Sequence, residues 1–298
     1  MVDKMKKDYA KIAIILLNYN NYSDTINCIE SLKKVDYPNF FVIVVDNNSS
    51  NDSFTYLKEI ENDKIKIINS GKNGGFAFGN NVGIKLALEQ KADYVLLLNN
   101  DTIVTPNFLT KLKECFLIKN DVGIVTSRIM YNKERDKIWY AGGDIDWNNL
   151  RAIHEGINTS IYKQHEVKEV NFASGCCMLI SKECLRKVGG LPEDYFMYCE
   201  DMDYCVKIKE QGYKILYNSE SVIYHCVSSA GGGAESPFVI EWSNRARRKF
   251  YKKYKRYIKF YKRGYVYIKC EMRTLIKIII GKGRKNALNA YKKSFISN

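Results

Sequence analysis

The chain has 298 residues, 46% of them hydrophobic, which suffices for one large α/β domain with a substantial core and room for an appendage. Its net charge of +14 is concentrated at one end: residues 245–298 hold 19 Lys and Arg against a single acid, Glu271, while the remaining 28 bases meet 32 acids. A mildly acidic body with a basic tail is not a globally basic nucleic-acid binder, and nine cysteines without paired metal spacing point to buried thiols in a reduced cytosolic protein, not to a disulfide scaffold.

The start, Met1 to Lys11, is polar, and the apolar run Ile12 to Leu17 is too short for a signal peptide. That run instead reads as a first strand, ending in Asn18-Tyr19-Asn20-Asn21-Tyr22. A helix is expected from about Ser23, with Ile26, Ile29 and Leu32 on one face and Asn21 or Ser23 as its cap. Pro38 marks the return to a second strand, Phe41 to Val45, which ends in Asp46-Asn47-Asn48-Ser49-Ser50. A helix carrying Phe54, Leu57 and Ile60 leads to a third strand at Ile65 to Ile68. Gly71 to Asn81 then opens a helix through Val82, Leu86 and Ala87. This glycine-rich segment follows the third strand and lacks the G-x-G-x-x-G spacing, so it is not a dinucleotide fingerprint. Its small residues either admit a phosphate to the backbone or make a tight, closely packed turn.

Tyr94 to Leu98 is an unbroken apolar run, the pattern of a strand buried on both faces, and it stops at Asn99-Asn100-Asp101. Strands alternating with helices give a doubly wound parallel sheet, whose ligands bind at the carboxyl ends of the strands. Polar residues gather repeatedly at that rim. Asp101 either takes a hard divalent cation that keeps water and phosphate oxygens as its other ligands, or ends the strand and caps the helix from Asn107.

The second half is expected to hold a helix from Asn107 to Ile118 and a strand from Val122 to Tyr131. Loops with short strands follow over residues 132–170, and Val170 to Ile180 gives a strand preceded by the flexible Ser174-Gly175. After the turn Gly189-Gly190-Leu191-Pro192, the chain enters a helix through Tyr195 to Asp203 that ends at Gly212. Glu200, Asp201 and Asp203 suit the positive end of a helix dipole, yet three acids in four residues exceed what capping needs. Such a cluster raises a carboxylate's pKa and makes it a usable base. Val222 to Tyr224 is a short strand that delivers His225.

Taken in order, Asn18-Tyr19-Asn20, Asp46-Asn47-Asn48-Ser49, Asn73-Gly74-Gly75 with Gly79-Asn80, Asn99-Asn100-Asp101, Ser174-Gly175, Glu200-Asp201-Met202-Asp203 and His225 resemble the family 2 glycosyltransferases, particularly their bacterial rhamnosyltransferase-like branch. The resemblance covers about residues 11–245. It implies the GT-A fold, a Rossmann-like, mostly parallel sheet with helices on both faces. Residues 11–101 would form a nucleotide-sugar half and 102–244 an acceptor-binding, catalytic half of a domain spanning 1–244. It implies an inverting enzyme moving a sugar, with rhamnose a candidate, from a UDP- or dTDP-sugar to a glycan or lipid-linked glycan in bacterial cell-surface polysaccharide synthesis. Asn18, Asn20, Asp46 and Asn48 would then serve the base and ribose, and Asn73, Gly74, Gly79 and Asn80 the neighbouring donor surface. Asn99, Asn100 and Asp101 form the DxD-type element, with Asp101 and His225 on Mg²⁺ or Mn²⁺. Asp201 would be the base with Glu200 beside it, and Ser174, Gly175 and Asp203 would meet the acceptor. The first acid of the usual motif is an amide here, Asn99, which leaves less negative charge for the metal. A catalytically silent glycan-binding or scaffold protein and a nucleotidyltransferase are the alternatives. The nucleotidyltransferase expects a glycine-rich signature after the first strand, where this chain has Asn18-Tyr19-Asn20.

Residues 245–298 interleave Lys and Arg with Phe250, Tyr251, Tyr254, Tyr257, Phe260, Tyr261, Tyr265 and Tyr267, as basic amphipathic helices do. An anionic membrane surface is the first partner expected, which would hold the protein at the inner face of the cell membrane. A contact within a homodimer is the next reading, and nucleic acid, the least favoured, is not expected as a partner. Arg245 to Arg248 could also cover the donor diphosphate. No stretch approaches the ~18 apolar residues of a spanning helix.

Overall fold

A computed structural model of the protein describes residues 9–160, 166–227, 236–281 and 283–296. The first eight residues of the polar start lie outside the described residues. β1 (Ile12–Asn18), α1 (Tyr22–Leu32), β2 (Phe40–Asp46), α2 (Ser53–Lys58), β3 (Ile65–Asn69), α3 (Gly75–Glu89) and β4 (Tyr94–Asn99) build the first half, as the apolar spacing predicts. β5 (Thr102–Val104), α4 (Phe108–Glu114), β6 (Val122–Tyr131), β7 (Ile138–Tyr140), β8 (Gly143–Asp146), β9 (Arg151–His154), β10 (Val167–Val170) and β11 (Cys177–Ser181) follow. α5 (Lys182–Val188), α6 (Glu200–Glu210), β12 (Lys214–His225), α7 (Pro237–Tyr254), α8 (Arg263–Ile280) and α9 (Arg284–Lys293) complete it.

The main sheet runs β10-β12-β6-β11-β4-β1-β2-β3, with β5 on β12 and β7 on β6. β1, β2, β3 and β4 are mutually parallel, β11 is antiparallel to β4 and to β6, and β12 is parallel to β6. It is a mostly parallel sheet with helices around it. β1, β2 and β4 are apolar up to their last residue because both faces are covered: Ile14, Val44 and Leu97 are among their fully buried residues. Asn18 pairs in register with Asp46 and Leu17 with Asn99, so the three polar strand ends meet at one rim.

Several boundaries differ from the sequence expectation. β12 is 12 residues long, not the short strand expected at 222–225. Its polar segment Asn218-Ser219-Glu220-Ser221 hides the strand pattern, yet Ser221 is buried between Ser127 Oγ at 2.7 Å and the Phe108 carbonyl at 2.8 Å. The strand expected after Ser174-Gly175 is β11, and a further strand, β10, precedes the turn at 171–176. α6 starts only at Glu200, because Tyr198 and Cys199 both have positive φ, at 71° and 65°. The helix expected to reach Ile118 stops at Glu114 and continues as one 3₁₀ turn. All nine cysteines are free, and eight of them are buried.

The division expected at residue 245 falls inside α7. α7 belongs to the body: Phe250 and Tyr254 are almost fully buried, and Trp147 stacks on Phe250 with centroids 5.6 Å apart. The tail's lone acid, Glu271 on α8, receives two hydrogen bonds from Arg248, at 2.8 and 2.6 Å, and one from the Tyr291 hydroxyl on α9 at 2.6 Å. One carboxylate thus ties three basic helices together.

Candidate active site

The ends of β1 and β2 are locked to each other. Asn18 donates to Asp46 Oδ2 at 2.7 Å, and Ser49 donates its N–H and hydroxyl to the same carboxylate at 2.8 and 2.6 Å. Asn20 and Asn48 take left-handed backbone with φ of 57° and 58°, a conformation asparagine tolerates, and so turn the chain away from the rim. Asn20 accepts from the Ser50 N–H at 2.8 Å, while Asn48 is exposed. Asn73 accepts from Asn47, a buried residue of the Asp46-Asn47-Asn48-Ser49 motif to which the sequence assigns no separate role, at 3.0 Å. These bonds fix a polar shelf along β1, β2 and the entry to α3.

The glycines of this segment are chiefly a packing device. A Cβ on Gly75, whose φ is 88°, would lie 1.9 Å from the Phe196 carbonyl oxygen, and one on Gly79 would lie 2.3 Å from Leu17. A Cβ on Gly74 would strike the Phe78 ring at 2.4 Å. Asn80 is buried and bonds the Phe76 carbonyl of its own helix at 2.9 Å, so its amide serves α3 rather than the donor surface expected for it. The Phe76 N–H donates to the Phe196 carbonyl at 2.9 Å, which ties the start of α3 to the loop before α6.

At the end of β4, the Asn100 amide donates to Thr25 Oγ1 at 2.8 Å. The Asn99 side chain is half-buried and has no hydrogen-bond partner among the described residues. Asp101 is buried, and β5 pairs Thr102 with His225 of β12. That pairing brings His225 Nε2 to 3.1 Å from Asp101 Oδ1, joining two residues 124 positions apart in sequence, as 101 and 225 show. His225 Nδ1 is buried without a hydrogen-bond partner, and Trp139 packs edge-on to the imidazole at 4.8 Å. No group of three or more His, Cys, Asp or Glu able to hold a metal occurs among the described residues. A carboxylate and an imidazole in contact nonetheless fit a cation that draws its other ligands from phosphate and water.

The turn between β10 and β11 links this strand end to α6. The Asn99 N–H donates to the Cys176 carbonyl at 3.0 Å, and the Gly175 N–H donates to Asp201 Oδ2 at 3.3 Å. Asp201 Oδ1 also accepts from the Met202 N–H at 2.8 Å. Ser174, expected at the acceptor, is buried and accepts from the Cys176 N–H, so it shapes this turn. Burial raises the pKa of Asp201, while its backbone donors pull the other way. Glu200 is only 6% exposed, its Oε2 has no partner, and burial reinforced by the Asp201 charge pushes its pKa up to about 8. Glu200, with an unpartnered oxygen and the Asp201 charge beside it, is thus the carboxyl pushed toward its protonated form, while the backbone donors at Asp201 favour that group's charged form.

Asp203 differs from its expected place at the acceptor. It is fully buried, and its oxygens accept from Tyr195 at 2.9 Å, Tyr254 at 2.9 Å and Lys253 at 2.6 Å. Its carboxylate fastens α7 to α6. Nor do Arg245 to Arg248 reach for a diphosphate: Arg245 pairs with Glu241, Arg247 bonds Thr274, and Arg248 bonds Glu271.

Known proteins fit this picture. The family described as Glycosyl transferase family 2 matches residues 13–189, more than half of the chain. The low-salt glycan biosynthesis hexosyltransferase Agl10 of Haloferax volcanii is 29% identical over 206 residues, 68% of this chain and 63% of that protein. The dTDP-rhamnosyl transferase RfbF of Shigella flexneri is 26% identical over 204 residues, 68% of this chain and 64% of that one. The chain therefore spans a little under two thirds of these curated relatives. Among solved structures, a mannosyltransferase from Pyrobaculum calidifontis in complex with GDP-Man and Mn²⁺ superposes with a TM-score of 0.58 at 16% identity, covering 95% of this chain and 74% of that one. GalNAc-T7 with UDP, GalNAc and Mn²⁺ gives 0.61 at 14% identity, covering 80% and 50%. At such identity the likeness is one of fold, which is GT-A.

Proposed function

The chain belongs to glycosyl transferase family 2, and from that premise we propose that it transfers a hexose, rhamnose foremost, with inversion from a UDP- or dTDP-sugar to a glycan acceptor. One observation carries the reading: the turn at 174–176 bonds both the end of β4, two residues before Asp101, and the carboxylate of Asp201. Donor-side and acceptor-side groups thereby share one rigid corner. The hexosyl- and rhamnosyltransferase names of the relatives favour the donor class.

Asp201 takes the proton of the acceptor hydroxyl as that oxygen bonds to the anomeric carbon. The bond from that carbon to the diphosphate breaks, and the nucleoside diphosphate leaves with the electron pair. Burial and the Asp201 charge push Glu200 toward its protonated form, and the Gly175 and Met202 N–H groups favour the charged form of Asp201, which suits Asp201 as the base. Asn18, Asp46 and Ser49 fix the shelf on which base and ribose rest, and Asn99 has an amide left to hydrogen-bond ribose. Asp101 and His225 would hold Mg²⁺ or Mn²⁺, which supplies positive charge to the departing diphosphate.

The acceptor we propose is lipid-linked, and the enzyme works on the cytoplasmic side of the cell membrane in the assembly of a surface polysaccharide. A donor screen that follows free nucleoside diphosphate, with and without lipid-linked acceptor, tests the reading. Acceptor-dependent release from one UDP- or dTDP-sugar is expected. Glycan binding without release from any donor would instead favour a silent binding protein of the same fold.

A further inference from the structure

α8 is apolar on two opposite faces. Val266, Cys270, Thr274 and Ile278 are buried, where the Cys270 thiol reaches the Asn149 carbonyl and Thr274 bonds Asn244 of α7. At about 100° per residue, Tyr265, Ile268, Met272, Ile276 and Ile279 fall on the other side of the helix, centred about 180° from the buried row. All five are exposed, Ile268 at 62% and Tyr265 at 66%. Phe260, 82% exposed just before the helix, and Ile280, 76% exposed at its end, lengthen the strip. Lys269, Arg273 and Lys277, spaced i, i+4, i+8, run along one flank. An uninterrupted apolar row of this length does not stand in water without a purpose.

We propose that this outward face of α8 seats the protein on an anionic lipid bilayer, with the five apolar side chains at the acyl boundary and Lys269, Arg273 and Lys277 among the headgroup phosphates. No helix among the described residues is long and apolar enough to cross a membrane, so the contact lies in the interface plane. Charge selects the occupant. A second copy docked by the same stripe would bring together two ends that each hold 19 bases and one acid, and that acid is already engaged by Arg248 and Tyr291. An anionic surface meets both the apolar row and its basic flank. The docking surface stands apart from the transfer reaction and holds or fails whatever sugar is moved.

The test is co-sedimentation of the full-length protein with vesicles of phosphatidylcholine alone and of phosphatidylcholine mixed with phosphatidylglycerol, at low and high salt. Binding should favour the anionic vesicles and weaken with salt. Replacing Ile268, Met272 and Ile276 together by Gln should lower affinity by about tenfold or more at low salt. Replacing Lys269, Arg273 and Lys277 by Gln should weaken the preference for anionic vesicles and its salt dependence. All these positions lie at the surface or on its edge, and an unchanged thermal unfolding transition certifies the fold of each variant. Unaltered binding by both variants, or equal binding of the parent protein to the two vesicle types, overturns the proposal. So does a lipid-free dimer, seen by sedimentation velocity, that the Ile268/Met272/Ile276 variant converts to monomer.

Discussion

Glu200→Gln should make the protein increasingly more stable than the parent as pH rises, even though it removes a residue beside the proposed base. The Glu200 carboxyl is buried with Oε2 unpartnered, and its pKa is raised from 4.5 to about 8 by burial first and by the Asp201 charge second. Between those values the folded state keeps a proton that the unfolded chain releases. The stabilisation is therefore complete below the unfolded pKa and is lost as pH climbs through the folded one. Each unit in that window costs about 1.4 kcal/mol, so the total is on the order of a few kcal/mol. Glutamine keeps the shape and never ionises. Urea unfolding of both proteins at pH 5, 7 and 9, as an assay design, should give curves that converge in acid and separate in base, with the variant above. Parallel curves would show that Glu200 does not hold a proton in the folded protein, and the division of labour between Glu200 and Asp201 would fall with it.

Asp101→Ala should remove most transfer activity, and excess chelator should do the same, with His225→Ala milder because water can replace one neutral ligand; full turnover by demonstrably metal-free protein refutes the cation's role. Asp201→Asn should leave donor binding intact and lower kcat by about 10²–10⁴, the range for a lost general base. Near-normal turnover in that variant, with Glu200→Gln inactive, would exchange the two roles. Asp203→Ala should lower unfolding stability by ~1–3 kcal/mol, because the buried Tyr195 and Tyr254 hydroxyls lose the acceptor they share. A chain ended after residue 244 should fare worse, since it also loses Phe250 and Tyr254 from the core; an undiminished melting temperature for either protein refutes α7's structural role.

The rim of the sheet is legible in the chain because three apolar runs stop abruptly at amides and carboxylates, and a parallel sheet puts those stops side by side. Asn18, Asp46 and Asn99 lie within one register step of that expectation. The contact between Asp101 and His225 is legible only as an inference from the family. It depends on β5, three residues long, pairing with β12 through a register that no local pattern announces. β12 itself was half hidden, since its buried serines and asparagine look like a loop until Phe108, Lys111 and Ser127 supply their partners. Burial of polar residues depends on distant groups, so composition alone misreads it.

The acid cluster on α6 shows what helical periodicity adds. Asp201 and Asp203 are two positions apart, about 200° around a helix, and two groups so placed face opposite sides. One therefore turns to the Gly175 turn while the other turns to Tyr195, Tyr254 and Lys253. That separation was available from spacing alone; which side was the cleft was not. The answer lies in α7, whose Lys and Tyr side chains look from composition like the beginning of a solvated basic tail. Charge rises at residue 245, but the helix begins at Pro237 and stays in contact with α6 through Tyr254. The basic end of the chain thus begins, in α7, as part of the support of the corner that holds Asp201, and the apolar strip it offers outward lies on α8.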